Sequence, residues 1–131
     1  LKQTKIDAIY TSPLIRTQQT AEPLASMKNL EIQINTGLNQ VNFGDWQGLS
    51  FDELIGDPNW KLFQENPALV KIPGGEDGFM VRSRASSALT DLVNLYPMDA
   101  VIACFSHGSI IRHLISFFIG LPLENLNQMK L

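Results

Sequence analysis

Ile6-Asp7-Ala8-Ile9-Tyr10 is a short run of apolar, β-branched and aromatic residues, which predicts a strand. Ser12-Pro13 leads from it into a helix beginning near Leu14, where proline suits a first turn. Leu14, Ala21, Leu24 and Ala25 recur at helical spacing. Pro23 removes a donor and crowds the preceding turn, so it is expected to kink or divide that helix. Leu30, Ile32 and Ile34 then alternate with polar residues and predict a second strand.

Gly37 to Gly48 has no period, and Ser50 with Glu53 has the form of a capping box opening a short helix. Asp57-Pro58 signals another helix start, with Trp60 and Phe63 on one face. Pro73-Gly74-Gly75 breaks the chain before Asp77 caps the longest helix, whose Val81, Ala85, Ala88, Leu89 and Leu92 follow the 3.6 period up to Pro97. Ala100 to Phe105 is apolar without alternation and reads as a strand covered on both faces. After the turn Ser106-His107-Gly108, a last helix carries Ile110, Ile111, Leu114, Ile115 and Phe118 and ends at Gly120 and Pro122. Strands alternating with helices imply a three-layer α/β/α domain with a mostly parallel sheet.

The 131 residues fit one domain. A formal charge of -3 and the absence of any basic run argue against a nucleic-acid partner, so an anion site must be a local pocket. The apolar stretch from Ile110 to Leu121 is broken by Arg112 and His113 and is too short to cross a membrane. Cys104, the only cysteine, sits in an apolar run and reads as a buried thiol of a protein in a reducing compartment, the cytoplasm by default. The chain opens at Leu1 rather than methionine, and is read as a fragment whose true start lies upstream.

In open α/β sheets ligands bind beyond the carboxyl ends of the strands, and two polar clusters fall there: Ser12 to Arg16 and Ser106 to Gly108. Each marks a strand-to-helix turn, where free backbone N–H groups and the positive helix end can face an anion. Arg16 adds a planar fork of donors, His107 a further ring donor, and Gly108 close backbone approach. Taken alone, Arg16 reads as a surface or salt-bridge residue and His107 equally as a structural one, and His113, facing out from its helix, reads as structural. No paired spacing of histidine and cysteine suggests a metal site, and Trp46, Trp60 and the phenylalanines read as core.

The stretches IYTSPLIRTQQTAEPLA, LNQVNFGDWQGLSFDEL, IPGGEDGFMVRSRASSAL and VIACFSHGSIIRHLISFFIGLPLENL, in this order, resemble the histidine phosphatase superfamily over about residues 5 to 127. They are most similar to its α-ribazole phosphatase and broad-specificity phosphatase branch. The resemblance implies a phosphoglycerate mutase-like fold and hydrolysis of a small-molecule phosphomonoester through a phosphohistidine, with no metal or other cofactor. It implies that Arg16 neutralises the transferring phosphoryl group while His107 and the Gly108 N–H bind its oxygens. It also implies that substrate preference lies in a lid segment, here Leu54 to Lys71.

Two positions depart from the family pattern. The nucleophilic histidine belongs to an Arg-His-Gly motif that is absent, so the chain alone is expected to be inactive, with the first strand and helix of the domain preceding residue 5. The family's proton-donating glutamate aligns with Gln40, an amide with no proton to give, for which Asp45, Asp52, Glu53 or Glu76 could substitute. Two other readings stay open. One is a phosphate-binding or partner-binding domain without catalysis; the other is a serine hydrolase using Ser106, which lacks the downstream acid and histidine that such a triad needs.

Overall fold

A computed structural model of the protein describes residues 3–67 and 70–129. Its elements are β1 (Ala8–Thr11), α1 (Ile15–Lys28), β2 (Ile32–Ile34), α2 (Phe51–Ile55), α3 (Pro58–Glu65), α4 (Gly78–Leu95), β3 (Ile102–Phe105) and α5 (Gly108–Phe118), with 3-10 turns at Thr36–Leu38, Gly44–Trp46 and Leu123–Gln128. Ala68 and Leu69, within the expected lid segment, lie outside the described residues. The chain divides into two compact units: Leu1–Gln40 with Ala85–His107, and Val41–Arg84 with Gly108–Leu131.

The first unit holds a parallel sheet in the order β2-β1-β3. All four residues of β1 are buried, as its place between two strands requires. Successive side chains of a strand point to opposite faces. Ile9 accordingly packs against Ala21, Leu24 and Ala25 of α1 with Ile32 and Ala103 around it, while Tyr10 hydrogen-bonds the Tyr96 hydroxyl at 2.9 Å beyond the end of α4. Burial of those α1 residues also explains why Pro23 neither divides nor ends the helix. Pro23 lies on the exposed side, and the buried stripe holds the turns on either side of it.

The apolar run expected to form a strand from Ala100 is a strand only from Ile102, and it is not covered on both faces. Its residues are half-buried or exposed, and Cys104 is an exposed thiol rather than a buried one. The physical reason is neighbourhood: among the described residues β3 pairs with β1 alone. A run without alternation reports apolar side chains, not what lies against them.

In the second unit the expected caps are present. Ser50 and Glu53 complete the capping box of α2, Asp57 accepts the Asn59 N–H at the start of α3, and Asp77 accepts the Met80 N–H at 2.8 Å at the start of α4. Trp46 is buried and donates from its indole to Asp57 at 2.7 Å, with Trp60 and Phe63 packed on it. The other rings do not all join a core, since Phe51, Phe79, Phe117 and Phe118 are exposed.

Two glycine-bearing loops interlock in this unit. The Asp45 N–H donates to the Pro73 carbonyl at 2.8 Å and the Glu76 N–H to the Asn42 carbonyl at 3.0 Å. Gly44 has φ +48°, and a Cβ there would stand 2.1 Å from the Pro73 oxygen. Only glycine permits that approach. Glu76 locks the crossing by accepting the Asn42 N–H and pairing twice with Arg84, at 2.7 and 2.8 Å.

Candidate active site

The register of β1 and β3 builds the site. Thr11 pairs with Phe105, and the Ser12 N–H extends the ladder to the Phe105 carbonyl at 3.1 Å, so both chains leave the sheet side by side at their carboxyl ends. The residues that follow, Ser12 to Thr17 on one strand end and Ser106-His107 on the other, therefore meet. His107 is buried, and its Nε2 lies 2.9 Å from the Ser12 Oγ. Arg16, on the first turn of α1, brings its Nη2 to 3.2 Å from the His107 Nδ1. The two residues that the sequence singles out 91 positions apart are in contact.

Further bonds hold these groups. Ser12 Oγ lies 2.7 Å from Thr17 Oγ1 and accepts the Leu14 N–H at 3.3 Å, while Thr17 Oγ1 reaches the carbonyls of Leu14 at 2.7 Å and Ser12 at 3.1 Å. Leu14 makes no side-chain cap bond, and it is these hydroxyl bonds of Ser12 and Thr17 that tie the strand-to-helix turn before α1. Sequence reasoning places Ser12 in the cluster but misses this role and passes over Thr17. The available signal is two hydroxyl residues five apart across a strand-to-helix turn.

Ser106 donates its hydroxyl proton to the Leu38 carbonyl at 2.7 Å. That bond draws the segment ending in half-buried Gln40 to the turn before His107. It also commits the one proton that a base would have to remove from a nucleophilic serine, which speaks against the serine-hydrolase reading. Gly108 opens α5, and a Cβ built on it would meet no atom within 4 Å. The fold alone therefore does not demand glycine there.

Two of the proposed substitute acids are occupied. Burial favours the protonated form of Glu76, yet the Arg84 guanidinium and the Asn42 N–H outweigh it and hold the carboxyl below the usual glutamate range. Glu53 is likewise lowered, by its hydrogen bonds to the Ser50 hydroxyl and N–H. A general acid needs the opposite shift. Among the described residues no three of His, Cys, Asp and Glu converge as a metal site would need.

His113 does not face outward. It is buried on α5, and its Nδ1 makes no hydrogen bond. Burial, then the charges of Arg82 and Arg84, push its pKa down to about 4, with Glu76 opposing.

The Arg16–His107 contact thus lies beyond the carboxyl ends of parallel strands, where open α/β sheets bind their ligands. Comparison with known proteins makes the class specific. The model of the histidine phosphatase superfamily (branch 1) matches residues 1–131, and the chain belongs to that family. Phosphoserine phosphatase 1 of Hydrogenobacter thermophilus is 28% identical over 126 residues, covering 95% of this chain and 59% of the relative. Bacillus stearothermophilus YhfR superposes with a TM-score of 0.88 at 28% identity, covering 98% of this chain and 64% of that one. The α-ribazole phosphatase of Shigella flexneri does so with a TM-score of 0.82 at 26% identity, covering 98% and 64%. The fold is thus phosphoglycerate mutase-like, and the chain spans about three-fifths of the lengths of these relatives.

Proposed function

We propose that this chain is the larger part of a single histidine phosphatase domain that hydrolyses small phosphomonoesters through a phosphohistidine. The observation that carries the reading is the Arg16 guanidinium 3.2 Å from the ring of buried His107, at the ends of two adjacent parallel strands. Arg16 neutralises the phosphoryl group in transfer, and His107 and the Gly108 N–H bind its oxygens, stabilising charge as it develops.

The nucleophile in this reading is a histidine on a further strand beside β3. Support comes from the edge itself, which is apolar, half-exposed and unpaired among the described residues, a combination that natural sheets usually cover or blunt. The histidine nitrogen forms a bond to phosphorus as the bond to the leaving alkoxide breaks, and the alkoxide takes up a proton from solvent. Water then attacks phosphorus and gives up a proton to solvent as the N–P bond breaks, and inorganic phosphate departs. Gln40 can hydrogen-bond the leaving oxygen but supplies no proton.

The substrate is a small polar phosphomonoester, with α-ribazole 5'-phosphate the narrower candidate, since the relatives are named as phosphoserine and α-ribazole phosphatases. The free Cys104 thiol fits a reducing compartment, which we take to be the cytoplasm. Gln40 favours one second reading, a domain that binds phosphate without turning it over. Labelled phosphomonoester given to the full-length protein decides between them. An acid-labile label on a histidine other than His107 and His113 is expected, and label on Ser106 or on no histidine would overturn the phosphatase mechanism.

A further inference from the structure

We infer that Ser12 and Thr17 act as positioning residues that fix the tautomer of His107, so that Nδ1 is the nitrogen offered to a bound anion; this rests on the phosphatase reading of the site. Proton counting along the hydrogen bonds leads there. Thr17 has one hydroxyl proton, and the oxygens at 2.7 and 3.1 Å from it are the carbonyls of Leu14 and Ser12, which only accept. That proton is therefore spent on a carbonyl. The 2.7 Å contact between Thr17 Oγ1 and Ser12 Oγ must then use the Ser12 proton. Having given its proton away, Ser12 Oγ can only accept at its 2.9 Å contact with His107, which requires hydrogen on Nε2.

The other side of the ring agrees independently. A guanidinium has donors and no acceptor, so the 3.2 Å contact from Arg16 needs a lone pair on Nδ1. Both contacts select the neutral Nε2–H ring. Nε2 is thereby held by the strand end, and Nδ1 is the position that shares a face with the Arg16 guanidinium. An anion received at that face meets Arg16 together with a ring that can take a proton on Nδ1 while Nε2–H stays anchored.

Thr17 is the control point. Without its hydroxyl, Ser12 keeps its proton and can donate it to Nε2, which admits the Nδ1–H ring and sets a donor against Arg16. A Ser12→Ala change loosens the same ring by removing the acceptor for Nε2–H.

The test uses the full-length protein with ¹⁵N-labelled histidine. In the wild type, the His107 signals should show a protonated Nε2 and an unprotonated Nδ1 at neutral pH. Thr17→Val, nearly the same shape without the hydroxyl, should mix or invert that assignment and weaken inorganic phosphate binding by about fivefold or more, as loss of one buried hydrogen bond allows. Thr17→Ser should restore both. Ser12→Ala gives a second route to the same readouts, with folding of each variant checked by circular dichroism. A wild-type ring protonated on Nδ1, or a Thr17→Val variant with unchanged tautomer and unchanged phosphate affinity, overturns the proposal. Failure of the wild type to bind phosphate would overturn the phosphatase reading instead, and the spectra without phosphate would still judge the tautomer.

Discussion

His113 should make the fold acid-sensitive in a defined window. Its ring is 4% exposed, its Nδ1 has no hydrogen bond, and its pKa in the folded chain is about 4 against 6.5 for the free side chain. The folded state therefore keeps the ring neutral, while the unfolded chain binds a proton as pH falls below about 6.5. Stability is fully present above that value and is lost as pH drops towards the folded pKa. Each pH unit in the window costs about 1.4 kcal/mol, so about 2 kcal/mol should be gone near pH 5 and roughly 3 once the window is crossed. The stabilising contribution of Glu76 is lost only lower, as pH falls through a value below the usual 4.5, which leaves the upper range to histidine. Urea unfolding of the wild type and His113→Gln between about pH 7.5 and 5 isolates the effect, because the difference between the two cancels every other titrating group. The wild type should lose about 2 kcal/mol more than the variant. Parallel losses in both proteins would refute a buried neutral ring at position 113.

Gln40→Glu in the full-length protein should raise kcat on alkyl phosphates by more than about tenfold and on nitrophenyl phosphate far less, since only the alkoxide needs a proton to leave; equal rates would remove position 40 from the acid step. Gly44→Ala should cost on the order of 3 kcal/mol or more in thermal or urea unfolding, because its Cβ would press into the Pro73 carbonyl at positive φ. A near-native midpoint would contradict the interlocked loops. Gly108→Ala should leave stability within about 1 kcal/mol in urea unfolding, since a Cβ there meets nothing within 4 Å and the backbone N–H is kept. A loss of several kcal/mol would contradict an open position at 108.

The architecture was largely legible in the sequence because caps and periods are local. Ser50 with Glu53, Asp57-Pro58 and Asp77 each mark a helix start that the structure bears out. What failed depended on neighbours that a local pattern does not contain. Cys104 looked buried because its run is apolar, but β3 has one described partner strand. His113 looked external because it interrupts an apolar helix, yet it lies inside it. Pro23 looked disruptive because propensity ignores the burial of Ala21, Leu24 and Ala25 beside it. At the site, Arg16 and His107 were readable from residue type and turn position. The Ser12–Thr17 relay was not, because it exists only once the ends of β1 and β3 lie in register.

The central claim is that Arg16 and His107 hold one phosphate-like anion. Vanadate affinity of the full-length protein and of its Arg16→Ala variant, with the fold of each verified by circular dichroism, tests it most directly. Loss of a charged hydrogen bond to the anion should weaken binding by about 1.5–3 kcal/mol, roughly ten- to 150-fold. Equal affinity in a folded Arg16→Ala protein would contradict the claim and leave Arg16 a surface residue beside a structural histidine.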